Sequence, residues 1–154
     1  MIRTILPFLS IIFSINGNDE SYYKNCRYDT QNYAVRFVTN FVCDGNPFNH
    51  NLMLALDRCC RNDDRGCKHV DTTLTHITGK ADVARSYTTQ CQSFNSNIIV
   101  SYFINRSYAT FKIPIPPQAI GCDKENPSTY YFPQMDLCNV RYNNDGSPYF
   151  LSRR

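Results

Sequence analysis

Eight cysteines constrain this chain more than any other feature: Cys26, Cys43, Cys59, Cys60, Cys67, Cys91, Cys122 and Cys138, in a sequence of 154 residues. All of them follow a leader-like start. Arg3 supplies a basic residue, Ile5 to Ile15 an apolar stretch, and Asn16-Gly17 a cleavage point, so residues 1–17 read as an export signal. The apolar stretch is too short to span a bilayer, and Pro7 weakens it further. An even set of cysteines behind such a signal predicts disulfides formed in an oxidising compartment, and hence a secreted, extracellular product. The length beyond the signal suits one cysteine-rich domain, residues 18–154. Asn105-Arg106-Ser107 is a sequon that predicts a glycan on Asn105, whereas proline blocks Asn126-Pro127-Ser128.

The formal charge of +3 is small and dispersed. Without a basic block to track a phosphate backbone, a nucleic-acid partner is not expected. No Ser/His/Asp arrangement, phosphate-binding glycine loop or nucleic-acid motif is visible in the sequence.

Patterning divides the chain. An alternating run from Tyr33 to Val42 fits a strand or a short packed segment, and Asp44-Gly45-Asn46-Pro47 is a strong turn signal. From about Asn49 the spacing predicts a helix, because Leu52, Leu56, Cys59, Cys60 and Asp63 recur at three and four residues; Gly66 would stop it. A second long helix is predicted over 84–108 from Tyr87, Cys91, Phe94, Ile98 and Tyr102, although Ile98-Ile99-Val100 favours a strand. Beyond it Pro114, Pro116 and Pro117 exclude a continuous helix. Phe111 to Ile115 and Tyr130-Tyr131-Phe132 read as extended segments able to pair as a hairpin, and Asn143-Asn144-Asp145-Gly146 as a further turn.

The run Cys59-Cys60-Arg61-Asn62-Asp63-Asp64-Arg65-Gly66-Cys67, with Cys43 before a Gly/Asn turn and 23 residues between Cys67 and Cys91, resembles the active-site region of secreted phospholipase A2 enzymes. The match is nearest to the group III, bee-venom-type branch and covers roughly residues 41–105. It implies a mainly α fold, a disulfide-stapled pair of long helices with a small β-wing. It further implies the bridges Cys43–Cys60 and Cys67–Cys91, leaving Cys26, Cys59, Cys122 and Cys138 open to three pairings. In that family a helix histidine is the general base, the adjacent carboxylate ligates calcium, and a glycine-rich loop completes the metal site. Here Asp63 stands in the histidine position. By the resemblance, calcium would be held weakly by Asp64 with the Asp44, Gly45 and Asn46 turn.

The departures matter as much as the matches. A carboxylate cannot replace imidazole near neutral pH without a large pKa shift. Six residues separate the vicinal pair from Cys67 where the family has five, and Gln92, Ser93 and Phe94 leave no carboxylate after Cys91. Asp63-Asp64 also has a plainer reading as a solvated end of a segment. The resemblance therefore implies a secreted, catalytically impaired, monomeric phospholipase A2-like protein that binds lipid, a membrane surface or a protein receptor. Two alternatives stand beside it: an active calcium-dependent phospholipase A2 acting at the sn-2 ester, and an unrelated disulfide-rich secreted binding or effector protein.

Overall fold

The computed structural model describes residues 23–63, 66–75, 79–104, 106–142, 144 and 148–150, with the side chains of 73–75, 149 and 150 left aside. The expected export signal, Asp64 and Asn105 lie outside the described residues. The chain order is β1 (Lys24–Asn25), β2 (Asn32–Cys43), β3 (Asn46–Pro47), β4 (Leu52–Cys60), β5 (Cys67–Thr75), β6 (Lys80–Thr88), β7 (Ser93–Ile104), β8 (Ser107–Ile115), β9 (Ile120–Cys122), β10 (Tyr130–Tyr131), β11 (Met135–Asp136), β12 (Val140–Tyr142) and β13 (Pro148–Phe150). Among the described residues the one helical segment is a single 3-10 turn, Pro117–Ala119.

The predicted mainly α fold is therefore not formed, and with it goes the phospholipase A2 resemblance. Both expected helices are strands: β4 occupies the first, and β6, β7 and the start of β8 occupy the second. The reason is a property of the number four. Residues four apart share a face on a helix, but four is also even, so they share a face on a strand. In β4 the inward set is Leu52, Leu54, Leu56 and Arg58, with Ala55 buried on the other face; in β7 the inward set includes Phe94, Ser96, Ile98, Val100 and Tyr102. Those sets step by two, and the β-branched residues among them suit a pleated surface.

Two sheets face each other. One runs β5–β4–β7–β8, antiparallel throughout, with β1 beside the first residues of β7 on the β8 edge. The other is built on β2. The strand β6 covers one edge of β2 from Asn32 to Asn40, and β3 follows on that edge. The opposite edge is covered in succession by β9, β10 and β11, the last two parallel to β2. The extended segments at Phe111–Ile115 and Tyr130–Tyr131 do not pair with each other: the first joins β7 and the second joins β2. A small ribbon, β12 with β13, completes the chain.

The core lies between the sheets. Alternation in β2 sends Tyr33, Val35, Phe37 and Phe41 inward to meet Phe94, Ile98, Val100 and Tyr102 of β7. The Tyr33 and Phe94 rings sit 4.9 Å apart, and Phe48 meets Tyr102 edge-on at 5.6 Å. Asp44 and Gly45, at φ 50° and 85°, make the tight β2–β3 turn, a left-handed pair that suits a two-residue hairpin.

All eight cysteines are bridged. The pairs are Cys26–Cys122, Cys43–Cys138, Cys59–Cys67 and Cys60–Cys91. Neither bridge implied by the resemblance is present. In particular, Cys43 is tied to Cys138 after β11 rather than to the vicinal pair. Four bridges in one chain fit folding in an oxidising compartment.

Candidate functional site

Strand β4 ends in the vicinal cysteines, and strand geometry decides what they do. Neighbouring side chains on a strand point to opposite faces, so Cys59 and Cys60 must bridge in different directions. Cys59 lies directly across from Cys67, and their bond forms a covalent rung that closes the β4–β5 hairpin. Cys60 reaches instead to Cys91, in the connector between β6 and β7. The Arg61 amide donates to the Ser93 carbonyl at 2.9 Å, fastening the turn after β4 to the start of β7.

These fixed segments border a half-open cavity of about 440 Å³. Its walls carry Arg58 of β4, Asn62 and Asp63 of the turn, Lys68 of β5, Gln90 and Gln92 of the connector, and Ser93 of β7. The volume falls in the range of small-molecule sites.

Arg58 is the residue that sets its character. It follows Leu52, Leu54 and Leu56 on the inward face of β4 and is 8% exposed. Its Nη1 donates to the Thr88 carbonyl at 2.7 Å. Its Nε is buried with no hydrogen-bond partner, and the hydroxyl of Ser93 is in the same condition. Buried polar groups are paired as a rule; of the four orphaned atoms among the described residues, Tyr33 Oη and Thr39 Oγ1 lie on residues that do not line this cavity, and the other two belong to residues that do. Arg58 also stands directly opposite Lys68 across β4–β5, a like-charge pair of the kind that weakens a sheet. Near Arg58, burial pushes the Tyr33 phenol above its usual value, while the Ser96 hydroxyl and the Arg58 charge pull it back.

The site residues expected from the sequence separate into two places. Asp63, expected as a lost general base, lies on the cavity wall with Cys60 and Cys91. Its amide donates to the Cys60 carbonyl at 3.3 Å, and its carbonyl accepts from Gly66 at 3.1 Å. Asp44, Gly45 and Asn46 belong to the β2–β3 hairpin and are not on that wall. There the Asp44 carboxylate accepts from the Asn139 amide at 3.1 Å. Cys43, Asp44 and Cys138 bring their ligand-type atoms within 4.8 Å of one another, but both sulfurs are spent in a disulfide and are poor metal donors.

Arg58, Lys68 and Ser93 carried no signal under a helical reading. A strand reading would have found Arg58, since alternation from Leu52 places a charge on the buried face. The sequence reading also missed a polar cluster. His69 Nε2 meets Thr72 Oγ1 at 2.9 Å, and His69 Nδ1 faces Asp57 Oδ1 at 3.6 Å. The register slips between Leu56 and Asp57, leaving Val70 as an extra residue, and this bulge lets residues three apart meet. The His69–Asp57 contact is longer than a hydrogen bond, and the His69 side chain is 57% exposed. None of the three lines the cavity.

No family model matches the chain, and neither does any curated protein. Among solved structures, a 9R-lipoxygenase from Cyanothece PCC8801 aligns over 73% of this chain at 12% identity with a TM-score of 0.34. The chain spans 18% of that structure's length, and the likeness is too slight to assign a family. What the fold and the site define is a disulfide-rich β-sandwich with a polar cavity fixed by the bridges of its vicinal cysteines.

Proposed function

We propose that the chain is an exported, disulfide-stapled binding protein whose ligand occupies the cavity beside Cys60–Cys91. The observation that carries this reading is a polar cleft held by covalent bridges, two of whose lining residues, Arg58 and Ser93, have a buried polar atom without a partner. Groups fixed before the ligand arrives lose little freedom on binding, so they favour affinity. The ionisable residues among the described lining are Arg58, Lys68 and Asp63. That set offers charge and hydrogen bonds but no nucleophile beside an activating base.

The test is a thermal-shift screen of the oxidised, secreted protein against polar small molecules, with ester turnover followed in parallel. A ligand at a hundredfold over its Kd is expected to raise Tm by about 5–10 °C. Ester turnover abolished by Asp63→Asn would replace binding with catalysis. A screen in which no compound shifts Tm would remove the cavity as a binding site.

A further inference from the structure

We infer that the occupant of this cavity carries an oxyanion, a carboxylate or phosphate group on a small polar molecule, seated between Arg58 and Lys68. The inference rests on the binding reading above and names the ligand class of the same site. Three observations converge on it. The first is the guanidinium, nine-tenths buried, with one hydrogen bond to a carbonyl and no ion pair with a carboxylate among the described residues. Burying an unpaired charge is costly, and a guanidinium with N–H groups to spare is suited to an oxyanion. The second is Lys68, placed directly opposite Arg58, where an anion between them turns a repulsive pair into two attractive contacts. The third is the Ser93 hydroxyl, a buried donor with nothing to bond.

The rest of the wall describes the rest of the ligand. Asn62, Gln90 and Gln92 present amides, which suit hydroxyl or amide groups rather than a hydrocarbon tail. Asp63 also lines the cavity, so two cations face one carboxylate, and a second anionic group beside Asp63 is disfavoured. The site therefore selects one oxyanion head on a polar body.

Gluconate and glucose 6-phosphate supply the two heads on similar bodies, and glucose is the neutral control. Each is titrated into the oxidised protein while the Arg58 Nε–H resonance and calorimetric heat are followed. A saturable shift of that resonance is expected with at least one anion, about tenfold tighter than glucose. Gluconate alone would assign a carboxylate, and glucose 6-phosphate alone a phosphate. Lys68→Gln and Ser93→Ala, which leave Arg58 and the bridges in place, should each weaken that binding severalfold. The inference is overturned if neither anion moves the resonance, if glucose binds as tightly, or if both variants bind like the parent. A neutral compound that shifts Tm and maps to Gln90 and Asn62 while both anions fail would overturn the oxyanion alone and keep the binding reading.

Discussion

Asp136 and Arg58 are equally buried, each 8% exposed, and each sits beside a disulfide. Their surroundings are opposite. The Asp136 carboxylate accepts from the Asp44 amide at 3.2 Å, the Cys138 amide at 3.1 Å and the Asn139 side-chain amide at 2.8 Å. Arg58 has one carbonyl and an orphaned Nε. A buried charge answered on every side serves the scaffold: Asp136 locks the β2–β3 turn to the segment after β11. A buried charge left with an open edge is held in place by the fold without being completed by it, which is how a preorganised binding group looks.

The bridges beside these two charges differ in span along the chain, yet with the other bridges in place they should matter about equally to stability. Cys43–Cys138 spans a separation of 95 residues, and Cys60–Cys91 one of 31. With the other bridges intact, the shortest loops these two close are roughly 33 residues, through Cys26–Cys122, and roughly 25, through Cys59–Cys67, so by loop-closure entropy replacing either pair with serines should cost about 3.5–4 kcal/mol. Denaturant midpoints of the two double variants measure this. A clearly larger loss at Cys60–Cys91 would mean that the cavity end depends on its bridge beyond chain entropy.

Truncating the charges themselves sharpens the contrast. Asp136→Ala strands two backbone amides and the Asn139 side chain, and should destabilise by about 3 kcal/mol. Arg58→Met removes a poorly satisfied charge while filling similar space, and should change stability by less than about 1 kcal/mol in the absence of ligand. Guanidinium melts of both variants decide it. A loss at Arg58 as large as that at Asp136 would make Arg58 a structural residue.

How much of this was legible depended on whether a pattern had one reading or two. The alternation from Tyr33 to Val42 points to a strand, and it is the central strand β2. Asp44-Gly45 reads as a turn because it supplies two left-handed residues in succession, and the hairpin uses both. Leu52, Leu56 and Phe94, Ile98, Tyr102 fit either period, and the cysteine spacing tipped them toward a helix that the chain does not form. Once β4 was misread, Arg58 could not be placed on an inward face. The disulfide pairing was illegible for a different reason. Cys59–Cys67 follows from strand register, while Cys26–Cys122 and Cys43–Cys138 join segments 96 and 95 residues apart, which depends on the order of strands around β2. Asp63, singled out in the sequence, lies on the wall of the candidate site.

A pair of exposed carboxylates tests whether burial or pairing makes the difference, and it carries the smallest effect. Asp123 accepts from the Gln31 and Asn32 amides at 3.0 and 3.1 Å, and Glu125 accepts from the Cys122 amide at 3.0 Å and from Lys24 Nζ at 2.9 Å. Both are exposed, yet the bonds hold their pKa values below the ordinary 3.8 and 4.5, with the backbone amides as the largest cause. A carboxyl whose folded pKa is depressed stabilises the fold fully above its unfolded value and loses that contribution as pH falls through the folded one. Wild-type protein should therefore outlast an Asp123→Asn, Glu125→Gln double variant in urea at pH 7, and the gap should close as pH drops below 4. Solvent screening keeps the gap small beside the Asp136→Ala loss. A gap unchanged at pH 2.5 would show that the amides read the shape of the side chains and not their charge, and the contrast between Asp136 and Arg58 would then rest on packing rather than on pairing.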